Sequence, residues 1–550
     1  MPWWLLGISM VATTFSADTP NLVTDIVRKN GIAGNWVWWA FLLTGMMTVF
    51  IYARLWRRSG ILTDIEFYEL RYSGKPAAFL RGFRALYLGV FFNIMIMATV
   101  ALAAIKIGGV LLGLSPAQTL LIASIVTVIY TSIGGLKGVI WTDFFQFAIA
   151  MGGVIGAAFI ILKMPEVGGL SGLLSHENVV GKLNFLPDFG DMNALIPLLI
   201  LPLAIQWWSV WYPGAEPGGG GYIAQRMLSA KDENNAVGAT LFFNIAHYAL
   251  RPWPWIIIAL ASLIIFPDLE SLKKAFPNVD NSIINDDLAF PAMLTFLPSG
   301  LLGVLVAALI AAFMSTISTH LNWGSSYIVN DFYKRFIKPD ASESQLVMLG
   351  RVSTLVLMIA AALLALLLTN ALQAFNILLQ VGAGTGLIFI LRWFWWRINA
   401  ISEISAMVIS FVLALIFEFG FPELASHLKL IYGVAITTVV WIAVTLNTPP
   451  SDYKTLIRFY KLIKPYPYGW KPVIEKGLAN GDLTPKEVYP GKLSMELACM
   501  FAGVFLVYGA LFGTGFWIYG EVQNAIFATA ISILSGFYII KTWPKISSVG

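Results

Sequence analysis

The feature that most constrains this chain is a repetition of apolar runs about 20 residues long, of which we count about fourteen. Hydrophobic residues make up 58% of the 550 residues and charged residues only 12%, whereas soluble domains contain about 25% charged residues. Backbone N–H and C=O groups in lipid need partners within their own segment, which helices provide and an open sheet does not. The sequence therefore predicts an all-α, polytopic membrane protein.

The cysteine and histidine content argues against several classes of protein. Cys499 is the single cysteine, so neither an internal disulfide framework nor a cysteine-rich metal site is expected. The four histidines show no HExxH spacing, which argues against a zinc hydrolase. The net charge of +5 does not require nucleic acid, because membrane proteins collect Lys and Arg in their cytoplasmic loops.

The apolar runs and their charged connections predict a topology. The first run lacks a basic leader and a small-residue cleavage site, so we expect a retained helix rather than a signal peptide. The basic connection after the second run belongs in the cytoplasm, and alternation then places both termini inside. The predicted helices are 3–27, 36–52, 85–113, 116–133, 140–163, 195–228, 237–264, 303–322, 347–369, 372–392, 401–420, 428–446, 494–518 and 522–541. Residues 447–492 form a polar cytoplasmic segment.

Two predicted helices contain breaks, the first around Ser16–Pro20 and the sixth around Pro213–Gly221. They begin two successive five-helix sets, and an odd number of helices inverts the second set relative to the first. Broken helices at matching positions of inverted repeats point to a solute site near the membrane midplane, although Pro and Gly also merely kink membrane helices. The expected units are 1–165 (first repeat), 190–395 (second repeat), 396–446 (two peripheral helices), 447–492 (cytoplasmic segment) and 493–550 (two further helices).

The predicted eighth helix, 303–322, carries a dense set of hydroxyl groups. Ala312, Ser315, Thr316 and Thr319 stand at i, i+3, i+4 and i+7, so they share one face, with Ser318 beside them. Each hydroxyl alone can bond the carbonyl one turn back. Several neutral oxygens on adjoining faces also suit a Na⁺ ion, which makes this helix a candidate cation site.

Charged residues inside predicted membrane segments are functional candidates, because a charge there costs a few kcal/mol. Five positions meet this criterion: Asp18, Lys106, Asp143, Glu216 and Arg251. Alternative interpretations remain for two of them. Asp143 can cap its helix or pair with Lys137, and Lys106 can extend its ammonium toward the outer surface.

Two groups of aromatic residues flank these positions. Trp36, Trp38 and Trp39 are expected to be interfacial anchors near the outer surface. Trp207, Trp208, Trp211 and Tyr212 directly precede the second break, where indole faces can stack on a sugar-like or cationic ligand.

Four sequence strings together resemble those of the sodium/solute symporter family. They are GISMVATTFSA, YTSIGGLKGVIWTDFFQ, QRMLSAK, and LPSGLLGVLVAALIAAFMSTIST followed by NDFYKRF. The likeness runs from about Trp3 to Asn399. It implies an inverted five-plus-five helix bundle and Na⁺-coupled movement of a small solute.

The resemblance also implies which residues bind Na⁺, the expected coupling ion. The main site would use the carbonyls of Ala12, Phe15 and Ala312 and the hydroxyls of Ser315 and Thr316. A second Na⁺ site, found in some members, would use Asp143, Ser315, Ser318 and Thr319. The break residues, the charges and a comparison with the sugar-transporting branch give the candidate solute residues Asp18, Thr19, Trp38, Lys106, Trp211, Glu216, Gly220 and Arg251.

The departures from that sugar branch limit what is implied about the solute. Trp38 stands near a position where the branch has Glu, and the run around Gly220 replaces its Asn. Glucose or galactose is therefore not implied. Arg251 and Lys106 favour a carboxylate-bearing or polyhydroxylated solute, unless Asp18 and Glu216 simply neutralise them.

The function expected from these features is Na⁺-coupled import of a sugar, sugar acid or carboxylate-like solute by alternating access. A solute-sensing receptor with the same bundle and an uncoupled facilitator remain as alternatives. We expect no enzymatic activity, because no catalytic constellation is found. The expected partners are the solute and the lipid bilayer, without nucleic acid or an obligate protein, and the expected location is a bacterial inner membrane.

Overall fold

The computed structural model describes residues 1–61, 63–133, 136–209, 217–218, 220–488 and 491–547. The side chains of residues 130–143, 371, 373, 374, 377, 546 and 547 also lie outside the description. Across the described residues the chain consists of helices and their connections, without a strand. This agrees with the all-α prediction.

Fourteen apolar helices, numbered here in chain order, build the structure over its described part. Among the fully described residues, ten of them are long and apolar enough to cross a membrane. The helices are 1 (Trp3–Thr14 and Asp18–Asn30), 2 (Ile32–Ser59), 3 (Gly74–Leu112), 4 (Pro116–Ile133), 5 (Leu136–Leu162), 6 (Met192–Ala204 and Gly221–Leu228), 7 (Glu233–Ile265), 8 (Ser299–Ile337), 9 (Glu343–Ala365), 10 (Ala371–Leu391), 11 (Ala400–Gly420), 12 (Ser426–Asn447), 13 (Leu493–Tyr519) and 14 (Val522–Ser547). The predicted polar segment contains two short helices, Tyr453–Ile463 and Lys471–Ala479.

Several helices extend beyond the predicted apolar runs at the end assigned to the cytoplasm. Helix 3 begins at Gly74, about a dozen residues before its prediction, and helix 8 continues to Ile337. The predicted apolar runs stopped where charged residues begin, but in the structure these charged residues form ion pairs between the extensions of helices 3 and 8. Arg81 of helix 3 lies 2.6 Å from the carboxylate of Asp331 of helix 8. The extensions are therefore paired helices that leave the apolar layer together.

Both predicted breaks are present, with shifted bounds. Helix 1 is interrupted at residues 15–17, and Pro20 lies within the first turn of its second half. A proline in the first turn of a helix loses no hydrogen bond. The first half of helix 6 ends at Ala204, earlier than predicted, and the helix resumes at Gly221.

Local sequence signals explain other helix ends. Asn399 accepts a hydrogen bond from the Ser402 N–H and starts helix 11 with a reciprocal cap. Gly113 has a φ of 65° and ends helix 3, because glycine adopts this left-handed conformation without steric cost.

Helix 13 packs deeply against helices 2 and 7, which the sequence did not indicate. Tyr508 donates a hydrogen bond to the carbonyl of Trp39 at 2.9 Å, and Trp253 donates to the carbonyl of Leu511 at 2.8 Å. Trp36, Trp38 and Trp39 are all buried. The expectation that they anchor the protein at the membrane surface is wrong, because aromatic side chains of helix 13 cover Trp36 and Trp39 and those of helix 7 cover Trp38.

A glycine of helix 13 makes this contact testable. A Cβ atom at Gly515 would lie 2.2 Å from the Trp253 ring, so Gly515→Ala forces rearrangement. We expect it to destabilise the protein by about 1–3 kcal/mol, as overpacking does. The control is Gly152→Ala, where no atom lies within 4 Å of the new Cβ and stability is expected to hold or rise. Thermal unfolding of the purified proteins measures both, and equal melting temperatures would contradict the close packing.

Candidate functional site

The end of the first half of helix 1 forms one wall of the candidate site. Phe15 leaves the helical conformation, with φ −85° and ψ 71°, while its N–H still bonds the carbonyls of Val11 and Ala12 at 2.9 and 3.0 Å. The last carbonyls of a helix lack intrahelical donors and carry partial negative charge. This break therefore presents acceptor oxygens inside the protein.

Helix 8 brings its hydroxyl face against that end. The Thr316 hydroxyl donates to the carbonyl of Thr13 at 3.4 Å, joining residues 303 positions apart. The five residues predicted for the main Na⁺ site are all buried here: Ala12, Phe15, Ala312, Ser315 and Thr316. Helices 1 and 8, which carry the two halves of the predicted ligand set, are thus in contact through Thr13 and Thr316.

The predicted second Na⁺ site is only partly described. Ser318 is buried, and its hydroxyl donates to the Ser315 carbonyl at 3.0 Å, the local bond that Ser residues often make in membrane helices. Thr319 is half-buried. The side chain of Asp143 lies outside the described residues.

A cavity lies beside the break and contains three of the predicted solute residues. Asp18, Thr19 and Trp38 line it. The other lining residues are Thr14, Ser16, Leu22, Val23, Ile96, Thr99, His247, Phe375 and Leu378, from helices 1, 3, 7 and 10. The lining combines polar and apolar side chains, as in many small-molecule sites.

Asp18 is the acidic residue of this lining. Its Oδ1 atom is buried and has no hydrogen-bond partner among the described residues. Trp38 stacks on Tyr248 with ring centroids 5.7 Å apart, and its indole N–H donates to Asn35 at 2.8 Å. The cavity therefore offers an unused carboxylate oxygen beside a fixed aromatic wall.

Arg251 is fully buried but does not line the cavity. Its guanidinium donates to the Thr14 hydroxyl at 3.2 Å and to His247 Nδ1 at 2.5 Å. It lies over the Trp255 ring at 5.3 Å. Arg251 therefore sits behind the cavity wall rather than in it.

Lys106 lies in a buried ion pair with Asp287 of the connection before helix 8. Its ammonium is 2.5 Å from Asp287 Oδ1 and donates to the Thr369 carbonyl at 2.8 Å. Both side chains of the pair are at most 1% exposed. Lys106 is absent from the cavity lining, and two of its three donors are engaged by Asp287 and Thr369.

The other predicted solute residues lie near or within the second break. Gly220 adopts an extended conformation and precedes the second half of helix 6. The first N–H of that half, which belongs to Gly221, donates to the Asp64 carboxylate at 2.8 Å. Gly220 is absent from the cavity lining. Trp211 and Glu216 are outside the described residues.

Sequence reasoning did not name four polar residues of the cavity as solute residues: Thr14, Ser16, Thr99 and His247, although Ser16 lies within the predicted first break. His247 was detectable in part, because it stands one turn before Arg251 on the same helix face. Thr14 and Thr99 carry no such signal, since single hydroxyls are common in membrane helices.

A second buried arginine, Arg226 of helix 6, was also missed. It donates to the hydroxyls of Ser9 and Thr13 at 3.3 and 3.2 Å. The second half of helix 6 is thereby bonded to the first half of helix 1 through Ser9 and Thr13, which do not line the cavity.

The ion pair of Lys106 supplies a test of whether this residue is structural. We expect Asp287→Ala to lower the unfolding free energy by about 3–5 kcal/mol, because it leaves a buried ammonium without its partner. The double variant Lys106→Met/Asp287→Leu removes both charges, and we expect it to recover most of that loss. Thermal unfolding measures both, and a double variant as unstable as Asp287→Ala would contradict a purely structural pair.

Comparison with known proteins agrees with this architecture. The family model that matches the chain, over residues 1–410, is that of the sodium:solute symporter family. The sodium/glucose cotransporter of Vibrio parahaemolyticus is 26% identical over 471 residues, which is 82% of this chain and 84% of the relative. The sodium/sialic acid symporter SiaT of Proteus mirabilis is 26% identical over 470 residues, covering 82% and 88%.

A solved structure of a Na⁺-coupled sialic acid symporter, substrate-bound and outward-open, has the same fold. It superposes with a TM-score of 0.64 at 23% sequence identity, covering 82% of this chain and 91% of that one. The matched model spans well over half of the 550 residues. The chain is therefore an integral, multi-pass membrane protein that belongs to the sodium:solute symporter family.

Proposed function

We propose that this chain imports a small organic solute together with Na⁺, binding the solute in the cavity beside the helix 1 break and the ion between helices 1 and 8. The observation that carries the proposal is the contact between the end of the first half of helix 1 and the hydroxyl face of helix 8. An inside-negative potential of 100 mV supplies about 2.3 kcal/mol for each Na⁺ that enters.

The proposed main ion site combines five neutral oxygens. Three are backbone carbonyls, of Ala12, Phe15 and Ala312, and two are the hydroxyls of Ser315 and Thr316. Burial of all five residues supports the assignment, since carbonyl and hydroxyl oxygens there can replace the water around an ion. Neutral ligands bind a monovalent cation without a strong net charge, so the ion can also be released on the other side.

We also propose the second Na⁺ site, formed by Asp143, Ser315, Ser318 and Thr319. A carboxylate near these hydroxyls would supply the negative charge that a second cation needs in a low-dielectric region. Two ions per cycle would double the electrical driving force.

For the solute we propose a polyhydroxylated molecule rather than a simple carboxylate. The bonds of Arg251 to Thr14 and His247, and of Lys106 to Asp287, engage the two cations that had favoured a carboxylate. The lining instead offers Asp18, hydroxyls and a neutral imidazole, which suit the hydroxyl groups of a sugar. Trp38 and Phe375 would contact its apolar ring faces.

The proposed transport movement is rocking of two inverted repeats, 1–165 and 190–395, about the midplane site. The peripheral helices 396–446, the cytoplasmic segment 447–492 and residues 493–550 would follow outside the repeats. We further propose that the protein lies in a bacterial inner membrane with both termini in the cytoplasm, supported by the basic connections assigned to that side. Its partners would be the solute and the surrounding lipid.

The Na⁺ assignment predicts how Na⁺ stabilises the purified protein. A ligand at one hundred times its Kd adds about 2.7 kcal/mol to the unfolding free energy. We expect Na⁺ to raise the melting temperature of the parent, Ser315→Ala and Thr316→Val to lose most of that rise, and Asp143→Ala to lower the Hill coefficient of the Na⁺ titration toward one. Ser326→Ala, on the same helix but outside the proposed site, is the matched control. An equal effect of K⁺ or choline would refute the ion assignment.

The solute assignment predicts a selectivity that can be measured in the same way. With Na⁺ present, we expect neutral sugars and polyols to raise the melting temperature more than simple carboxylates of similar size. Asp18→Asn should weaken binding of the best sugar about tenfold or more, because a hydrogen bond to a charged acceptor contributes about 1.5–3 kcal/mol. Exposed Glu177, changed to Gln, is the control. Preferential stabilisation by carboxylates would contradict the assignment.

A further inference from the structure

We propose that Arg251 is a positioning residue that transmits solute binding to the Na⁺ site and does not itself touch the solute. The inference rests on the proposed function, because it concerns how the cavity and the ion site communicate. It departs from the sequence-based expectation, in which Arg251 was a direct solute ligand.

The guanidinium of Arg251 bonds to the last turn of the first half of helix 1. One amino group, Nη1, donates to the Thr14 hydroxyl at 3.2 Å and approaches the Val11 carbonyl at 3.5 Å. The other, Nη2, donates to His247 Nδ1 at 2.5 Å. A guanidinium only donates, so Nδ1 must be the acceptor nitrogen of a neutral imidazole.

The hydrogen-bond partners of Arg251 connect the solute cavity with the turn that carries the proposed Na⁺ ligands. Thr14 and His247 line the solute cavity, whereas Arg251 does not. Val11 and Thr14 are the chain neighbours of Ala12 and Phe15, whose carbonyls are the proposed Na⁺ ligands. A solute that displaces His247 or Thr14 would therefore shift the guanidinium, and with it the turn that presents those carbonyls.

The position of the charge strengthens this link. The C-terminal end of a half-helix carries partial negative charge, which attracts both the guanidinium and Na⁺. Arg251 is held over the Trp255 ring at 5.3 Å and is fully buried, so it has little freedom to move alone. Its planar donors fix several acceptors at once, which a lysine ammonium cannot reproduce with the same geometry.

Coupling between two sites is reciprocal, so Na⁺ must also act on the cavity. This allows a test with Na⁺ alone as the ligand. Ile96 of helix 3 lines the cavity and makes no contact that the proposal uses, so Ile96→Cys serves as a reporter. The native cysteine, Cys499, is fully buried and gives a low background for a methanethiosulfonate reagent.

The experiment compares labelling of Ile96→Cys in Na⁺ and in choline, in the purified full-length protein. With Arg251 intact, we expect Na⁺ to change the labelling rate by about fivefold or more, the range of ordinary site-to-site coupling. Adding Arg251→Gln should abolish this dependence while Na⁺ still raises the melting temperature. Arg251→Lys should retain part of the Na⁺ dependence of labelling. If Arg251→Gln does not fold, the comparison is made with Arg251→Lys alone. The control is Arg84→Gln, which removes a different fully buried arginine, on helix 3, and should leave the Na⁺ dependence of labelling intact.

The outcomes separate this inference from the proposed function. Unchanged Na⁺-dependent labelling in Arg251→Gln and Arg251→Lys would overturn the coupling role of Arg251. Loss of the Na⁺-induced rise in melting temperature in both variants would overturn it too, by making Arg251 part of the ion site. If the protein with Arg251 intact shows no Na⁺ effect on stability, the proposed function itself fails.

Discussion

A helix that stops inside a membrane leaves carbonyl groups that lipid cannot satisfy, and this structure is arranged around one such stop at residues 15–17. Three helices bring donors to it from different directions. Thr316 approaches from helix 8, Arg251 from helix 7 and Arg226 from helix 6. The candidate solute cavity, the proposed ion site and the second half of helix 6 thus meet at a single turn, through which we propose that movement at one of them reaches the others.

Charge inside the apolar layer serves two purposes in this protein. Lys106 with Asp287 and Arg54 with Glu496 form buried ion pairs that join distant parts of the chain, whereas the buried pair of Arg392 with Glu403 joins residues 11 positions apart. Such pairs fix which helices lie together but leave little capacity for a ligand. Asp18 differs, because it lines the cavity while its Oδ1 atom has no hydrogen-bond partner among the described residues. Binding capacity therefore depends on an unused polar atom beside a cavity, and the presence of a charge in the membrane is not sufficient.

The sequence was informative wherever a signal is local. Hydropathy located the fourteen helices, the Ser and Thr spacing on helix 8 identified its polar face, and the first break was placed within a few residues. Pairings between distant residues were not accessible: Lys106 and Asp287 lie 181 positions apart, and nothing near either residue indicates the other. His247 was missed because its spacing of one turn from Arg251 is its one sequence signal. Trp36 was misassigned because helix 13, which covers it, follows much later in the chain.

Helix 13 lies beyond residue 410, where the match to the family model ends. Yet it contacts Trp39 of helix 2 and Trp253 of helix 7, the two helices whose Trp38 and His247 line the cavity. The packing of these two helices thus depends partly on sequence beyond residue 410. A chimera that exchanged only the homologous core between two relatives would receive the cavity residues without the helix 13 that packs against helices 2 and 7. Two members with identical cavity residues can therefore differ in selectivity.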